Sequence, residues 1–167
     1  ALSIAAISAA AFSIPTQAQA QTAIQWWHSM TAVNGEWVND LAKEFNASQK
    51  EYRILPTFKG TYDESMTAAV AAYRAGNAPH ILQVFEVGTA TMMASKNAIV
   101  PVGKVMTDAG YKFDPKVYVP AVAGYYTAPN GQMLSFPFNS STTVFYYNKD
   151  AFKAAGLNPD KAPATWP

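Results

Sequence analysis

Apolar positions in the first hundred residues follow two alternating patterns. AIQWWHSM (23–30) is a short apolar-aromatic run, which predicts a strand. GEWVNDLAKEFNA (35–47) places Trp37, Val38, Leu41, Ala42 and Phe45 at helical spacing, which predicts an amphipathic helix. YRILPTF (52–58) reads as a second strand, with Pro56 pointing to an edge or a strand end. Tyr62 to Arg74 reads as an Ala-rich helix closed by a left-handed cap at Gly76-Asn77. HILQVFE (80–86) is apolar nearly throughout, as in strands covered on both faces of a parallel sheet.

Strand, helix, strand, helix, strand is a doubly wound α/β pattern with a mostly parallel sheet. Ligands of such sheets sit beyond the carboxyl ends of the strands. Those ends fall at 26–29, 58–62 and 85–89. Further on, helices are expected over 87–96, from Val102 to Ala109, from Pro115 to Tyr125 and from Asp150 to Ala155. Asn130-Gly131 marks a turn, and Gln132–Phe138 and Thr143–Tyr147 read as strands.

The chain opens ALSIAAISAAAFSIPTQAQA, twenty residues with no charge and no starting Met. An apolar run, then Pro15 and the ending Ala18-Gln19-Ala20, matches the body and cleavage site of a secretory signal. The mature chain is then expected from Gln21, so that 1–20 is an incomplete signal peptide and 21–167 a lobe. The closing NPDKAPATWP reads as a linker into a further helix, so the chain is expected to be a piece cut at both ends. There is no Cys, hence no disulfide and no cysteine lipid anchor. A protein free in the periplasm is expected.

Twelve basic against eleven acidic residues, scattered along the chain, argue against nucleic acid as a partner. Catalytic patterns are missing too. A thiol nucleophile is excluded, His28 and His80 have no metal-ligand spacing, and G-x-S-x-G, G-x-G-x-x-G and P-loop motifs do not occur. No enzyme activity, metal or cofactor is expected. His28 suits a backbone-bonded structural histidine better than a ligand contact, and His80 reads as structural.

Four positions remain as binding candidates. Glu86 can accept from two hydroxyls at once, as a polyol requires, or it can cap the next helix. Tyr62 can reach a ligand or pack on the sheet. Ser140 and Ser141 lie in the polar cluster Asn139-Ser140-Ser141-Thr142-Thr143, set between aromatic runs. Such a cluster is either an anion-binding floor of hydroxyls and amides or a self-satisfied turn.

Five stretches together carry a family resemblance: WWHSM (26–30), LAKEFNAS (41–48), FKGTYDESM (58–66), YRAGNAPHILQVFEVGTATMMAS (73–95) and FPFNSSTTVFYYNKDAFKAAGLNP (136–159). The chain resembles the periplasmic solute-binding proteins of ABC importers that take glycerol 3-phosphate. These fall within the wider class of extracellular solute-binding proteins that includes maltose-type binders. The resemblance implies a monomeric, two-lobed protein of the type II periplasmic-binding fold, of which this is the first lobe. It also implies a ligand, glycerol 3-phosphate or a diester, and the importer's membrane permease as partner. Carried over by position, it makes Tyr62 and Glu86 holders of the glycerol hydroxyls and Ser141 a phosphate contact. An Arg, a Tyr and a Trp would come from the second lobe. Phe58, Phe85 and Thr143 depart from the pattern, standing where Tyr, Tyr and Pro are expected. A neutral sugar and a periplasmic glycerophosphodiester hydrolase remain the alternative readings.

Overall fold

In the computed structural model, residues 20–95, 97–141 and 143–165 are described, except for the side chains of Glu86, Val87 and Met93. Residues 1–19, which hold all but the last residue of the signal peptide expected over 1–20, and Thr142 of the polar cluster lie outside them. Contacts divide the chain at Ile99/Val100 into two units.

The first unit is built on three parallel strands in the order β2-β1-β3. They are β1 Thr22–His28, β2 Tyr52–Phe58 and β3 Ile81–Leu82. Between them run α1 Ala32–Ser48 and α2 Tyr62–Arg74, and α3 Glu86–Ala94 follows β3. The order 2-1-3 reverses direction at β1. Right-handed crossovers therefore send α1 and α2 to opposite faces of the sheet. Val38 and Ala42 of α1, Ser65 and Ala69 of α2, and Trp27 and Met30 at the end of β1 are buried. The rest of the apolar stripe of α1 is only partly covered, with Trp37 45% and Phe45 41% exposed.

Pro56 sits on the edge strand, where its missing N–H costs no ladder bond. Two residues earlier, the outward N–H and C=O of Ile54 are both taken by the side chain of Asn46, at 2.7 and 2.9 Å. Gln49 does the same for Tyr52, at 2.8 and 2.7 Å. The end of α1 thus seals an edge that would otherwise invite another strand. At the other end of the helical pair, α2 stops in a Schellman motif: Asn77 N–H donates to Ala72 O and Gly76 N–H to Tyr73 O, with Gly76 at φ +75°.

Three expectations change. The run 80–86 is not a seven-residue strand, because only Ile81 and Leu82 pair with β1. The imidazole of His80 takes the N–H of Gln25 at 3.0 Å, and Gln83 N–H still reaches Trp27 O. Beyond that β1 has ended, and Phe85 becomes the N-cap of α3. Ile81 is 43% exposed, so the expected burial on both faces is not reached.

In the second unit, the helix expected over 115–125 divides into a 3-10 turn, Pro115–Val117, and α5, Pro120–Tyr125. Pro120 opens α5 and forces Val119 into an extended conformation. The strands expected over 132–138 and 143–147 are irregular among the described residues. Pairing is confined to the bridge Thr127↔Met133 around the Asn130-Gly131 turn. A strand needs a neighbouring strand for its N–H and C=O groups, and the described residues provide none beyond that bridge. Val144, Phe145 and Tyr146 are accordingly 60%, 51% and 90% exposed. Helices α4, Val102–Asp108, and α6, Lys149–Ala154, match the helical pattern, and Gly110 and Gly156 end them as Gly76 ends α2. Tyr147 packs on Phe152 at 4.7 Å and donates to Pro159 O, and Met133 is buried.

Candidate binding site at the strand ends

The carboxyl ends of β1, β2 and β3 converge on one edge of the first unit. The loop after β1 is tied to the chain after β3 by one buried amide: Gln83 Oε1 accepts the N–H of Ser29 at 3.0 Å. Lys59 N–H, just past β2, donates to His28 O at 2.9 Å. The three loops are therefore joined by hydrogen bonds that do not depend on a ligand.

Tyr62 is the first residue of α2, and its half-buried ring stacks on Phe85, with centroids 5.3 Å apart and planes at 24°. Its position is set by the turn before it. Thr61 caps α2, accepting from Glu64 N–H, while Glu64 Oε2 accepts the N–H of Thr61 at 2.7 Å. The N–H of Thr61, and after it the Thr61 hydroxyl, both donate to the Glu64 carboxylate and hold it below its usual pKa. Glu86 follows Phe85 directly and is the first residue of α3. The structure thus brings Tyr62 against the residue that precedes Glu86. It corrects the placement of Glu86 at a strand end: its backbone opens a helix.

Gly88 keeps this corner tight. A Cβ there would lie 2.5 Å from Met66 Cε and 3.1 Å from the Phe85 ring. A side chain at this position would require the end of Met66 to move and the Phe85 ring to give by a few tenths of an ångström.

His28 is 3% exposed, between the rings of Trp26 and Phe58, each 6.1 Å away. Its Nδ1 accepts the N–H of Met30 at 3.3 Å, and burial pushes its pKa down. It is a neutral structural histidine. His80, bonded to Gln25, is structural as well. Ser29 and Ser65 bury hydroxyls that have no partner among the described residues.

Ser140 and Ser141 lie in the second unit, exposed, in an irregular segment. They are not flanked by regular strands, and α6 starts eight residues after Ser141. Sequence reasoning missed Gln83, although a single amide in the apolar run HILQVFE was a signal. Among the described residues no group of three or more His, Asp or Glu side chains is placed to hold a metal. No described helix is long and apolar enough to cross a membrane.

Several proteins named sn-glycerol-3-phosphate-binding periplasmic protein UgpB are similar to this chain. That of Brucella abortus is 54% identical over 159 residues, or 95% of this chain and 37% of its own length. Those of Rhizobium meliloti and Yersinia enterocolitica are 52% and 61% identical, over 94% and 89% of this chain and 36% and 34% of theirs. The chain therefore spans little more than a third of the length of these relatives. Among solved structures, CpMnBP1 with mannotriose bound has a TM-score of 0.60 at 22% identity, covering 87% of this chain and 35% of that one. The cyclic α-maltosyl-1,6-maltose binding protein of Arthrobacter globiformis also gives 0.60 at 22%, over 87% of this chain and 36% of its own. These likenesses establish the mixed α/β fold with an open parallel sheet. The model of bacterial extracellular solute-binding proteins matches residues 40–167, more than three quarters of the sequence. The chain belongs to the bacterial extracellular solute-binding protein family.

Proposed function

We propose that this chain is the first lobe of the periplasmic binding component of an ABC importer, which captures sn-glycerol 3-phosphate and passes it to a membrane permease. The observation that carries this reading is the Tyr62–Phe85–Glu86 corner at the carboxyl edge of the sheet. It occurs in a chain more than half identical to proteins named for this ligand. In this reading Tyr62 and Glu86 hold the glycerol hydroxyls, and Ser141, with Ser140 beside it, donates to phosphate oxygens. A carboxylate that accepts from two hydroxyls favours a polyol, and neutral donors suit an anion whose counter-charge comes from elsewhere. Residues 1–20 are removed on export, and the mature protein works as a monomer in the periplasm. It binds its ligand and does not turn it over. A second lobe closes over the ligand, and the permease reads the closed state.

Calorimetric titration of the mature full-length protein with sn-glycerol 3-phosphate, and with maltose as control, tests this. Binding of the first alone is expected. Binding of maltose alone, or of neither, would overturn the ligand assignment.

A further inference from the structure

Lys59 stands apart from the other cations of the first unit. Lys43, Lys50 and Arg53 line a groove where α1 ends and β2 begins, and Arg74 is in the last turn of α2. By topology those positions belong to the amino edge of the sheet. Lys59 follows the last residue of β2 and is the one Lys or Arg at the carboxyl edge among the described residues of this unit.

Its ammonium is not committed to an acid. Nζ lies over the face of Trp27, 3.9 Å from the ring centroid, and the ion pairs among the described residues are Lys104–Asp108 and Lys149–Asp160. Glu64, five residues on, directs its carboxylate to Thr61 instead. Trp27 is buried, so the indole is a fixed platform that holds the charge in place. A cation–π contact holds an ammonium less strongly than a charge-assisted hydrogen bond to a phosphate oxygen would. Lys59 can therefore be drawn from Trp27 to an anion without breaking an ion pair.

The edge needs such a charge. Asp63 and Glu64 in the first turn of α2 and Glu86 at the start of α3 all belong to it, and His28 is neutral. Apart from the helix N-termini, Lys59 is the one fixed positive charge an anionic ligand would meet at this edge among the described residues.

We propose that Lys59 is a specificity-determining residue that lets this edge accept a phosphorylated polyol in preference to a neutral one. The proposal rests on the phosphate-polyol reading above, and it gives the first unit a phosphate contact of its own. Trp27 presents the ammonium, and the Gly60-Thr61 turn joins it to Tyr62.

The test is titration of the full-length protein with sn-glycerol 3-phosphate at low and high salt, for wild type, Lys59→Met and Lys59→Arg. Methionine keeps an apolar stem over Trp27 and removes the charge. Lys59→Met is expected to bind about 10-fold more weakly, with a flattened salt dependence, and Lys59→Arg to stay within about 3-fold of wild type. Wild-type affinity and salt dependence in Lys59→Met would overturn the proposal while leaving the ligand assignment standing. So would equal losses in both variants with a lowered Tm, which would make Lys59 a packing residue. No binding by the wild type would instead remove the ligand assignment, and this inference with it.

Discussion

The ring of Tyr62 lies face to face with that of Phe85, 5.3 Å between centroids, and joins the start of α2 to the start of α3. The contact predicts a coupling. Tyr62→Phe keeps the stack and removes the hydroxyl, and should weaken glycerol 3-phosphate binding by about 1 kcal/mol. Phe85→Ala should weaken it too, although Phe85 has no polar group to offer. A double-mutant cycle on ligand affinity should show an interaction of about 0.5–1.5 kcal/mol between the two positions. Strict additivity would mean that Phe85 does not position Tyr62.

Glu86→Ala should cost about 1–3 kcal/mol of binding, the scale for leaving buried polar partners unsatisfied. Calorimetry on a variant with an unchanged circular dichroism spectrum measures this directly. Wild-type affinity would take Glu86 out of the site and leave it as a helix-start residue.

Ser141→Ala should weaken binding of phosphate-bearing ligands and spare glycerol itself. Competition titrations with the two ligands compare the losses. Equal losses would identify Ser141 as a structural residue of its segment.

His28 predicts a pH effect on stability. Its folded pKa lies below its ordinary value of 6.5 because burial disfavours the charged form. Between the folded pKa and 6.5 the unfolded chain binds more protons, so stability is complete above about pH 6.5 and declines as pH falls below it. The decline levels off once pH is below the folded pKa. Thermal melts of wild type and His28→Gln across this window should differ in slope, with the variant flatter. Parallel slopes would assign the acid sensitivity to other groups.

Asn46→Ala should destabilise the protein by about 1–3 kcal/mol, since the N–H and C=O of Ile54 both lose their partner. The bared β2 edge should also raise self-association. Denaturant melts and light scattering report the two effects, and a variant as stable and monodisperse as wild type would show that water replaces Asn46 at no cost.

Much of the site is legible as residue types at strand ends, and less of it as geometry. Tyr62 could be placed before a helix, but not against Phe85, because a ring contact between two elements has no local signal. Glu86 reads as the end of a strand because HILQVFE is apolar nearly throughout. That run is equally compatible with a two-residue strand followed by a turn, and the length of β1 decides between them. Ser140 and Ser141 keep only their chemistry, since the described residues around them form no regular structure to orient them.

By itself the sequence determined what depends on near neighbours along the chain. β2 and α2 occupy the residues that the pattern predicts, and α2 ends at Gly76 because a left-handed cap and its two hydrogen bonds are local. Tertiary structure decided what depends on distant partners. β3 shortened to Ile81–Leu82 because β1 offers no ladder beyond His28, and 143–147 stayed irregular because a strand takes its hydrogen bonds from another strand. The same reason explains His28, Gln83 and Lys59. His28 meets Phe58 of β2, Gln83 takes the N–H of Ser29 and Lys59 lies over Trp27 of β1, and only the packing of separate elements supplies these contacts.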